Sequence, residues 1–121
     1  MIDDLGTPEH PLSRMEAAFW EFHLENPIIY ELFDKFTRQS IAAGRKHFSH
    51  VIVVERIRWA TMVETIHKDD FKINNNHRAY YARLWMRNNP SYEGFFRTRE
   101  VMGGRNGGYA DGSGDDPAFD L

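Results

Sequence analysis

The stretch HVIVVERIRWATMVETIH, residues 50–67, carries two conflicting signals. Its composition is typical of a strand and its spacing is typical of a helix, so the fold class depends on which signal prevails. The β-branched run from residue 51 to residue 54 favours a strand. At 100° per residue, however, four large apolar side chains fall within one narrow arc, so we predict a helix that buries this arc. The arc consists of Ile52, Trp59, Val63 and Ile66. Because apolar residues lie on nearly every side, this helix is expected to be the most buried one.

The segments before this helix carry start and stop signals for two others. Ser13 is followed three residues later by Glu16, a capping-box pattern that predicts a helix over residues 14–24. Asn26 and Pro27 suit the cap and the first position of a second helix, over residues 27–43. Gly44 then follows, as is typical of the residue beyond a helix end.

A fourth helix is predicted over residues 77–88, between a turn of three asparagines and the breaker Asn89-Pro90. We therefore expect one mainly α domain over residues 13–102, a compact bundle of four to five helices. Its order of elements suits a helix-turn-helix or winged helix, with residues 71–73 and 95–99 paired as a small β wing. Residues 1–12 are expected to form a flexible arm, and the Gly- and Asp-rich residues 103–121 a disordered tail.

Composition excludes several kinds of site. The chain of 121 residues contains no cysteine, which excludes disulfides, thiolate metal sites and a cysteine nucleophile. Residues 1–14 lack the basic and apolar regions of a signal peptide. The longest apolar run, residues 51–54, is far shorter than a membrane span. We therefore expect a cytoplasmic protein that does not associate with membranes.

Although the net charge of the chain is −3, residues 71–105 form a basic segment. This segment contains seven Lys and Arg residues and only two acidic residues. On the fourth helix, polar, aromatic and cationic side chains share roughly 60° of arc. Such side chains read base edges and bind phosphate, so we predict a non-enzymatic nucleic-acid-binding protein, with DNA as its partner and no cofactor. The predicted binding residues are Asn76, Tyr80, Arg83 and Arg87 at the bases, and Arg97, Arg99 and Lys72 at the phosphates.

Three blocks of the chain resemble a group of short proteins encoded by phages and prophages. They are FWEFHLENPIIYELF (19–33), ERIRW (55–59) and FKINNNHRAYYARLWMRNNPSYEGFFRTR (71–99). The resemblance implies a phage-type origin and action in the cytoplasm of a bacterial host. It implies no reaction and no catalytic residue, because no activity is established for the group. A regulatory role at DNA would suit such an origin.

The alternative function is a protein-interaction module, such as an inhibitor or adaptor acting on a host protein. An aromatic content of 14% favours it, because aromatic residues and arginine are enriched in interfaces.

Two short patterns are typical of metal-dependent sites but are incomplete. The Asp70-x-Lys72 pattern alone is not sufficient to predict a metal-dependent nuclease. His47 and His50 have a spacing that can hold a metal, but no third ligand is supplied, so no metal site is predicted. Glu55 and Arg58 are expected to form an ion pair beside a buried tryptophan.

Overall fold

The computed structural model describes residues 5–64 and 73–98. Within these residues the chain is mainly helical, which confirms the predicted fold class. The helices are α1 (Arg14–Glu25), α2 (Pro27–Ala42), α3 (His50–Trp59) and α4 (His77–Asn88). One π-helical turn, Ala60–Glu64, continues α3, and a 3₁₀ turn, Pro90–Tyr92, follows α4. None of the described helices combines the length and the apolar character needed to cross a bilayer.

Serine caps begin α1 and α3, and the cap of α1 is the one that the sequence predicts. Ser13 Oγ accepts a hydrogen bond from the Glu16 backbone N–H at 3.0 Å. Ser49 Oγ accepts from two backbone N–H groups in the first turn of α3, at 3.1 and 3.3 Å. These bonds satisfy donors that the first turn of a helix leaves without partners. The β-branched run at residues 51–54 is therefore helical, because the cap and tertiary burial override its strand propensity.

The junction between α1 and α2 differs from its predicted chemistry. Asn26 provides no side-chain cap for α2. Its Nδ2 donates instead to the Phe22 carbonyl oxygen at 3.0 Å, so that it closes the end of α1. Pro27 occupies the first turn of α2 as predicted, where its missing N–H leaves no bond unmade. Beyond the other end of α2, Gly44 has a φ of 96°, a left-handed conformation that glycine adopts without steric cost.

α3 buries the arc opposite to the predicted one. Val53, Val54 and Ile57 are almost fully buried. Trp59 is 57% exposed and Val63 is 53% exposed, so the prediction that they lie in the core is wrong. α3 contacts both α2 and α4, and these branched side chains belong to the core that the three helices share. Because both arcs are apolar, periodicity alone does not decide between them.

α4, rather than α3, is the most buried helix. Residues 80–85 are all buried, and Tyr81 and Trp85 are inaccessible to solvent. α1, α2 and α3 all contact α4, which encloses it. Phe19 meets the Tyr81 ring edge-on at 4.9 Å between centroids, and Phe96 meets the Trp85 ring edge-on at 5.8 Å. Tyr81 and Trp85 therefore point inward, and edge-on aromatic packing forms the centre of the core.

Where the sequence predicts a β wing, the described residues contain one isolated parallel bridge, which joins Phe96 to Phe48, a residue outside the predicted wing. The Phe48 N–H donates to the Phe95 carbonyl oxygen at 3.2 Å. The segment after α4 therefore pairs with the loop between α2 and α3, because its two phenylalanine rings are buried in the core. Ile73, the described end of the predicted partner strand, forms no bridge, and residues 71, 72 and 99 lie outside the described residues.

Residues 5–12, named the strap from here on, lie against α1 and α4 instead of forming the predicted flexible arm. Leu5 is buried, and the Gly6 N–H donates to Glu16 Oε2 at 2.7 Å. Thr7 and His10 close a turn with backbone hydrogen bonds in both directions, at 3.2 and 3.1 Å. The strap is fixed because side chains of the helices satisfy its backbone polar groups. Residues 1–4 and the predicted tail lie outside the described residues.

Candidate binding surfaces

The predicted nucleic-acid face of α4 is largely covered. Tyr80 is buried and Arg83 is only 8% exposed. Asn76 is exposed at the start of the helix, and Arg87 is partly buried near its end. The prediction that this face is open to water is therefore wrong for its two central residues. The reason is the central position of α4, which three other helices contact.

Tyr80 and Arg83 make their contacts inside the molecule. The Arg83 guanidinium lies 5.7 Å from the centre of the Tyr80 ring, which is a cation–π distance. The Tyr80 ring also meets Phe19 of α1, with 5.3 Å between centroids. A nucleotide base could therefore reach the face of Tyr80 only if α1 were displaced.

Arg87 fastens the strap to α4. Its Nη1 donates to the Gly6 carbonyl oxygen at 2.8 Å, and its Nη2 donates to the carbonyl oxygen of Leu5. Hydrogen bonds from a charged donor are stronger than those between neutral groups. The guanidinium that the sequence suggests as a base contact therefore holds the beginning of the described chain, 81 residues away.

The remaining predicted contacts are not assembled on one open surface within the described residues. Arg97 is exposed just after the Phe48–Phe96 bridge. The Asn76 backbone N–H donates to Asn74 Oδ1 at 2.8 Å, and the Asn76 side chain forms no helix cap. Lys72 and Arg99 lie outside the described residues.

An open apolar surface lies on α3 and the π-helical turn. Trp59, Met62 and Val63 are each more than half exposed. We name these three residues the α3 stripe. Their spacing of i, i+3 and i+4 places them on one side of the helix. Side chains with this spacing are the anchors by which amphipathic helices enter apolar grooves on other proteins.

Other exposed apolar residues of the described chain are aliphatic and dispersed. Leu12 and Met15 lie where the strap meets α1, and Leu24 and Ile28 lie at the junction of α1 and α2. Scattered aliphatic residues are normal on protein surfaces. An exposed tryptophan next to two other apolar side chains is less common, and tryptophan is enriched among binding hot spots. The α3 stripe is therefore the stronger candidate for a binding surface.

Ion pairs border the α3 stripe on both sides. Arg58 donates to Glu55, which confirms the predicted i,i+3 pair, and also to a backbone carbonyl just before α4 at 2.7 Å. On the other edge, Arg56 Nη1 lies 3.3 Å from Glu64 Oε1. The Arg56 guanidinium also lies 4.3 Å from the centre of the Phe36 ring. The stripe is thus an apolar centre with a rim of balanced charge, which is the usual anatomy of a protein interface.

The helical spacing of apolar residues assigns Trp59 to the core and therefore does not indicate the α3 stripe. One signal in the sequence distinguishes the two arcs of α3. Its Glu and Arg residues, Glu55, Arg56 and Arg58, all project within roughly 100° of Trp59. Because charged side chains avoid burial, the side of the helix that carries Trp59 is the side that faces water.

His47 and His50 each contact the segment that follows α4. His47 Nδ1 lies 3.3 Å from the Gly94 carbonyl oxygen, and the His50 ring lies edge-on to Phe96. Within residues 5–64 and 73–98, no group of three or more His, Asp or Glu side chains is placed to hold a metal ion. The H-x-x-H spacing therefore reflects the turn into α3 and the contacts of the loop before it.

No protein-family model, curated protein or solved structure matches this chain. The resemblance to phage-encoded proteins therefore stays a prediction.

Proposed function

We propose that the chain is a protein-interaction module that binds its partner through the α3 stripe. The observation that supports the proposal is the Trp59 ring, which is 57% exposed on a helix whose opposite arc is built into the core. Complete burial of a large apolar side chain contributes about 1.5–3 kcal/mol relative to its exposed state. A partner that covers the stripe would gain roughly half of this free energy at each of its three side chains, because each is already nearly half buried.

The partner is expected to offer an apolar groove that accepts one face of a helix. Trp59 would supply the rigid central anchor, and the flexible Met62 side chain would adapt to the irregular parts of the groove. The ion pairs on both edges would remain at the rim, where charges set the orientation and the association rate more than the affinity. A contact built on three anchors is expected to be transient rather than obligate.

Affinity capture with matched variants tests this proposal. The baits are the wild-type chain, a Trp59→Ser, Met62→Ser variant, and a Leu12→Ser, Leu24→Ser control that removes exposed apolar side chains elsewhere. Each bait is exposed to nuclease-treated bacterial lysate, because the resemblance to phage-encoded proteins predicts a bacterial partner. The wild type and the control are expected to retain the same protein, and the stripe variant at least about tenfold less of it. Equal retention by all three baits would exclude the stripe as the binding surface.

Nucleic-acid binding is a second candidate, favoured by a different observation. The Phe48–Phe96 bridge brings Arg97 beside the loop that carries Lys46 and His47. All three side chains are exposed. Cations contributed by two separate segments could contact successive phosphates, with an affinity that falls steeply as salt is added.

A gel-shift titration distinguishes this candidate from protein binding. The comparison is between the wild type, a Lys46→Ala, Arg97→Ala variant, and an Arg14→Ala, Lys35→Ala control that removes exposed cations from the helices. If the loop surface binds nucleic acid, its variant weakens retention and reduces the salt slope by about one unit for each phosphate that the protein no longer neutralises. Failure of the wild type to retain DNA at low salt would remove this candidate.

A further inference from the structure

Two histidines lie between α1 and α4, away from the α3 stripe. His77 is buried at the start of α4, and His23 is half-buried near the end of α1. Both rings pack on Phe19, His23 in a stacked arrangement at 5.8 Å and His77 edge-on at 5.9 Å. The Nδ1 atoms of both histidines are buried and have no hydrogen-bond partner among the described residues. The contact between the two helices therefore contains two titratable rings whose buried Nδ1 atoms have no acceptor among the described residues.

The surroundings of both rings are aromatic. His23 meets Tyr30 of α2 at 5.5 Å and Tyr81 of α4 at 6.0 Å, and His77 meets Phe22 of α1 at 5.3 Å. Both tyrosines face His23 and stay neutral at acidic and neutral pH, whereas the ring contacts of His77 in the described part of the chain are with Phe19 and Phe22. Burial lowers the pKa of His23 and of His77 below the ordinary histidine value, and no charged neighbour contributes to either shift.

The strap and α1 are attached to the rest of the molecule as one unit. Glu16 of α1 accepts the Gly6 N–H, so the strap is tied to α1. Within the described residues, α1 packs on α2 and α4, and α2, α3 and α4 also contact one another directly. Removal of the unit formed by residues 5–25 would therefore leave three helices in mutual contact. It would also uncover Tyr80, Tyr81 and Arg87.

We propose that residues 5–25 form an acid-sensitive cover over α4, which is released when His23 and His77 become protonated. A charge on either ring would have no carboxylate to balance it within this aromatic contact. His77 in addition lies in the first turn of α4, where the helix dipole opposes a positive charge. The cover is independent of the α3 stripe, and it encloses the helix that carries the predicted nucleic-acid residues.

The direction of the pH dependence follows from proton binding. The released state has ordinary histidines and binds more protons than the covered state, in which the pKa of both rings is lowered. The cover is therefore most stable above the ordinary histidine pKa of 6.5 and weakens as the pH falls below that value. For each histidine, every unit by which the pKa is lowered makes release tenfold more favourable at low pH.

Amide hydrogen exchange of the full chain at pH 7.5 and pH 5.0 tests the proposal, with rates corrected for the intrinsic effect of pH. Amides of α1 are expected to lose at least tenfold in protection at pH 5.0, while amides of α3 keep theirs. A His23→Phe, His77→Phe variant cannot be protonated at these rings, so it is expected to keep α1 protected. A control variant with the exposed residues changed, His10→Gln and His47→Gln, is expected to behave as the wild type.

Three results of the exchange experiment would overturn the proposal. They are full protection of α1 at pH 5.0, an equal loss of protection in α1 and α3, and an equal loss in the wild type and the double phenylalanine variant. If that variant does not fold, the histidine ring signals of the wild type in NMR provide the second measurement. His23 and His77 are expected to take up protons below the ordinary histidine pKa of 6.5, and titration of both rings at or above that value would contradict the proposal.

Discussion

Glu16 fixes the path by which the chain enters its first helix. Its carboxylate is 1% exposed, and Oε2 accepts from Trp20 Nε1 at 2.9 Å and from the Gly6 N–H at 2.7 Å. The capping-box pattern predicts that Ser13 accepts from the Glu16 backbone, which is confirmed. The pattern also assigns the carboxylate to the cap, whereas it turns toward the strap. The carboxylate is held by Trp20, four residues along α1, and by Gly6 of the strap. Neither residue belongs to the four-residue capping-box pattern.

Replacement of Glu16 by alanine is expected to lower the free energy of unfolding by about 2–4 kcal/mol, because Trp20 Nε1 and the Gly6 N–H would lose their acceptor. Urea denaturation followed by tryptophan fluorescence measures this change. The matched variant Glu21→Ala, on the exposed side of the same helix, is expected to stay within about 0.5 kcal/mol of the wild type. Similar losses in both variants would show that the Glu16 carboxylate does not hold the strap.

Tyr81 is expected to tolerate loss of its hydroxyl, which is buried and has no hydrogen-bond partner among the described residues. Tyr81→Phe should therefore leave the free energy of unfolding at pH 7 unchanged or slightly higher. Burial raises the pKa of Tyr81, so the folded state keeps this proton to a higher pH than the unfolded state does. Stability is then complete below the ordinary tyrosine pKa of 10.0 and falls above it, and Tyr81→Phe should reduce that alkaline loss.

Denaturation at pH 7 and above pH 10 measures both effects of Tyr81→Phe. Tyr30→Phe is the control at pH 7, because the Tyr30 hydroxyl accepts from Asn88 Nδ2 at 3.0 Å and its removal breaks that bond. Destabilisation by Tyr81→Phe of more than about 1 kcal/mol at pH 7 would mean that the hydroxyl has a partner in solution.

The helices were predictable from local signals, whereas apolar spacing alone did not predict the packing side of α3. The bounds of α4 agree with the prediction, because Asn, Pro and Gly act locally on the backbone. α3 has two apolar arcs, and both satisfy the helical period. The charged residues Glu55, Arg56 and Arg58 surround Trp59, and they are the signal that places this arc toward water.

Shortening a side chain is expected to change the free energy of unfolding by different amounts on the two arcs of α3. Ile57→Ala is expected to lower the free energy of unfolding by about 2–5 kcal/mol, because it leaves a cavity in the core. Val63→Ala, on the α3 stripe, is expected to change it by no more than about 0.5 kcal/mol. Chemical denaturation followed by circular dichroism measures both values. A larger loss for Val63→Ala than for Ile57→Ala would reverse the assignment.

At the scale of the whole molecule, α4 is the helix around which the other helices and the strap are arranged. The helical wheel of α4 suggests that Arg83 and Arg87 face water. Arg83 is instead buried against the Tyr80 ring. Arg87 is partly covered by the strap, which returns from the opposite end of the described chain to accept its hydrogen bonds. Contacts over such sequence separations are not visible in the pattern of one helix, so this part of the candidate site was not predictable.

Arg87→Ala is expected to lower the free energy of unfolding by about 1.5–3 kcal/mol, because two carbonyl oxygens of the strap would lose a charged donor. The exposed Arg97→Ala serves as the control and is expected to stay within about 0.5 kcal/mol of the wild type. Urea denaturation at neutral pH measures both. If Arg87→Ala is as stable as the control, Arg87 does not fasten the strap in solution.

The open face of the molecule lies on α3, and α4 is enclosed. Thiol labelling of two single-cysteine variants measures this difference in exposure. The chain has no cysteine, so Val63→Cys and Ala82→Cys each introduce one thiol. Val63 is 53% exposed and Ala82 is inaccessible to solvent. At pH 7.5 we predict that the thiol at position 63 reacts faster than the one at position 82 by on the order of a hundredfold or more. Comparable rates at the two positions, or faster reaction at position 82, would contradict the claim.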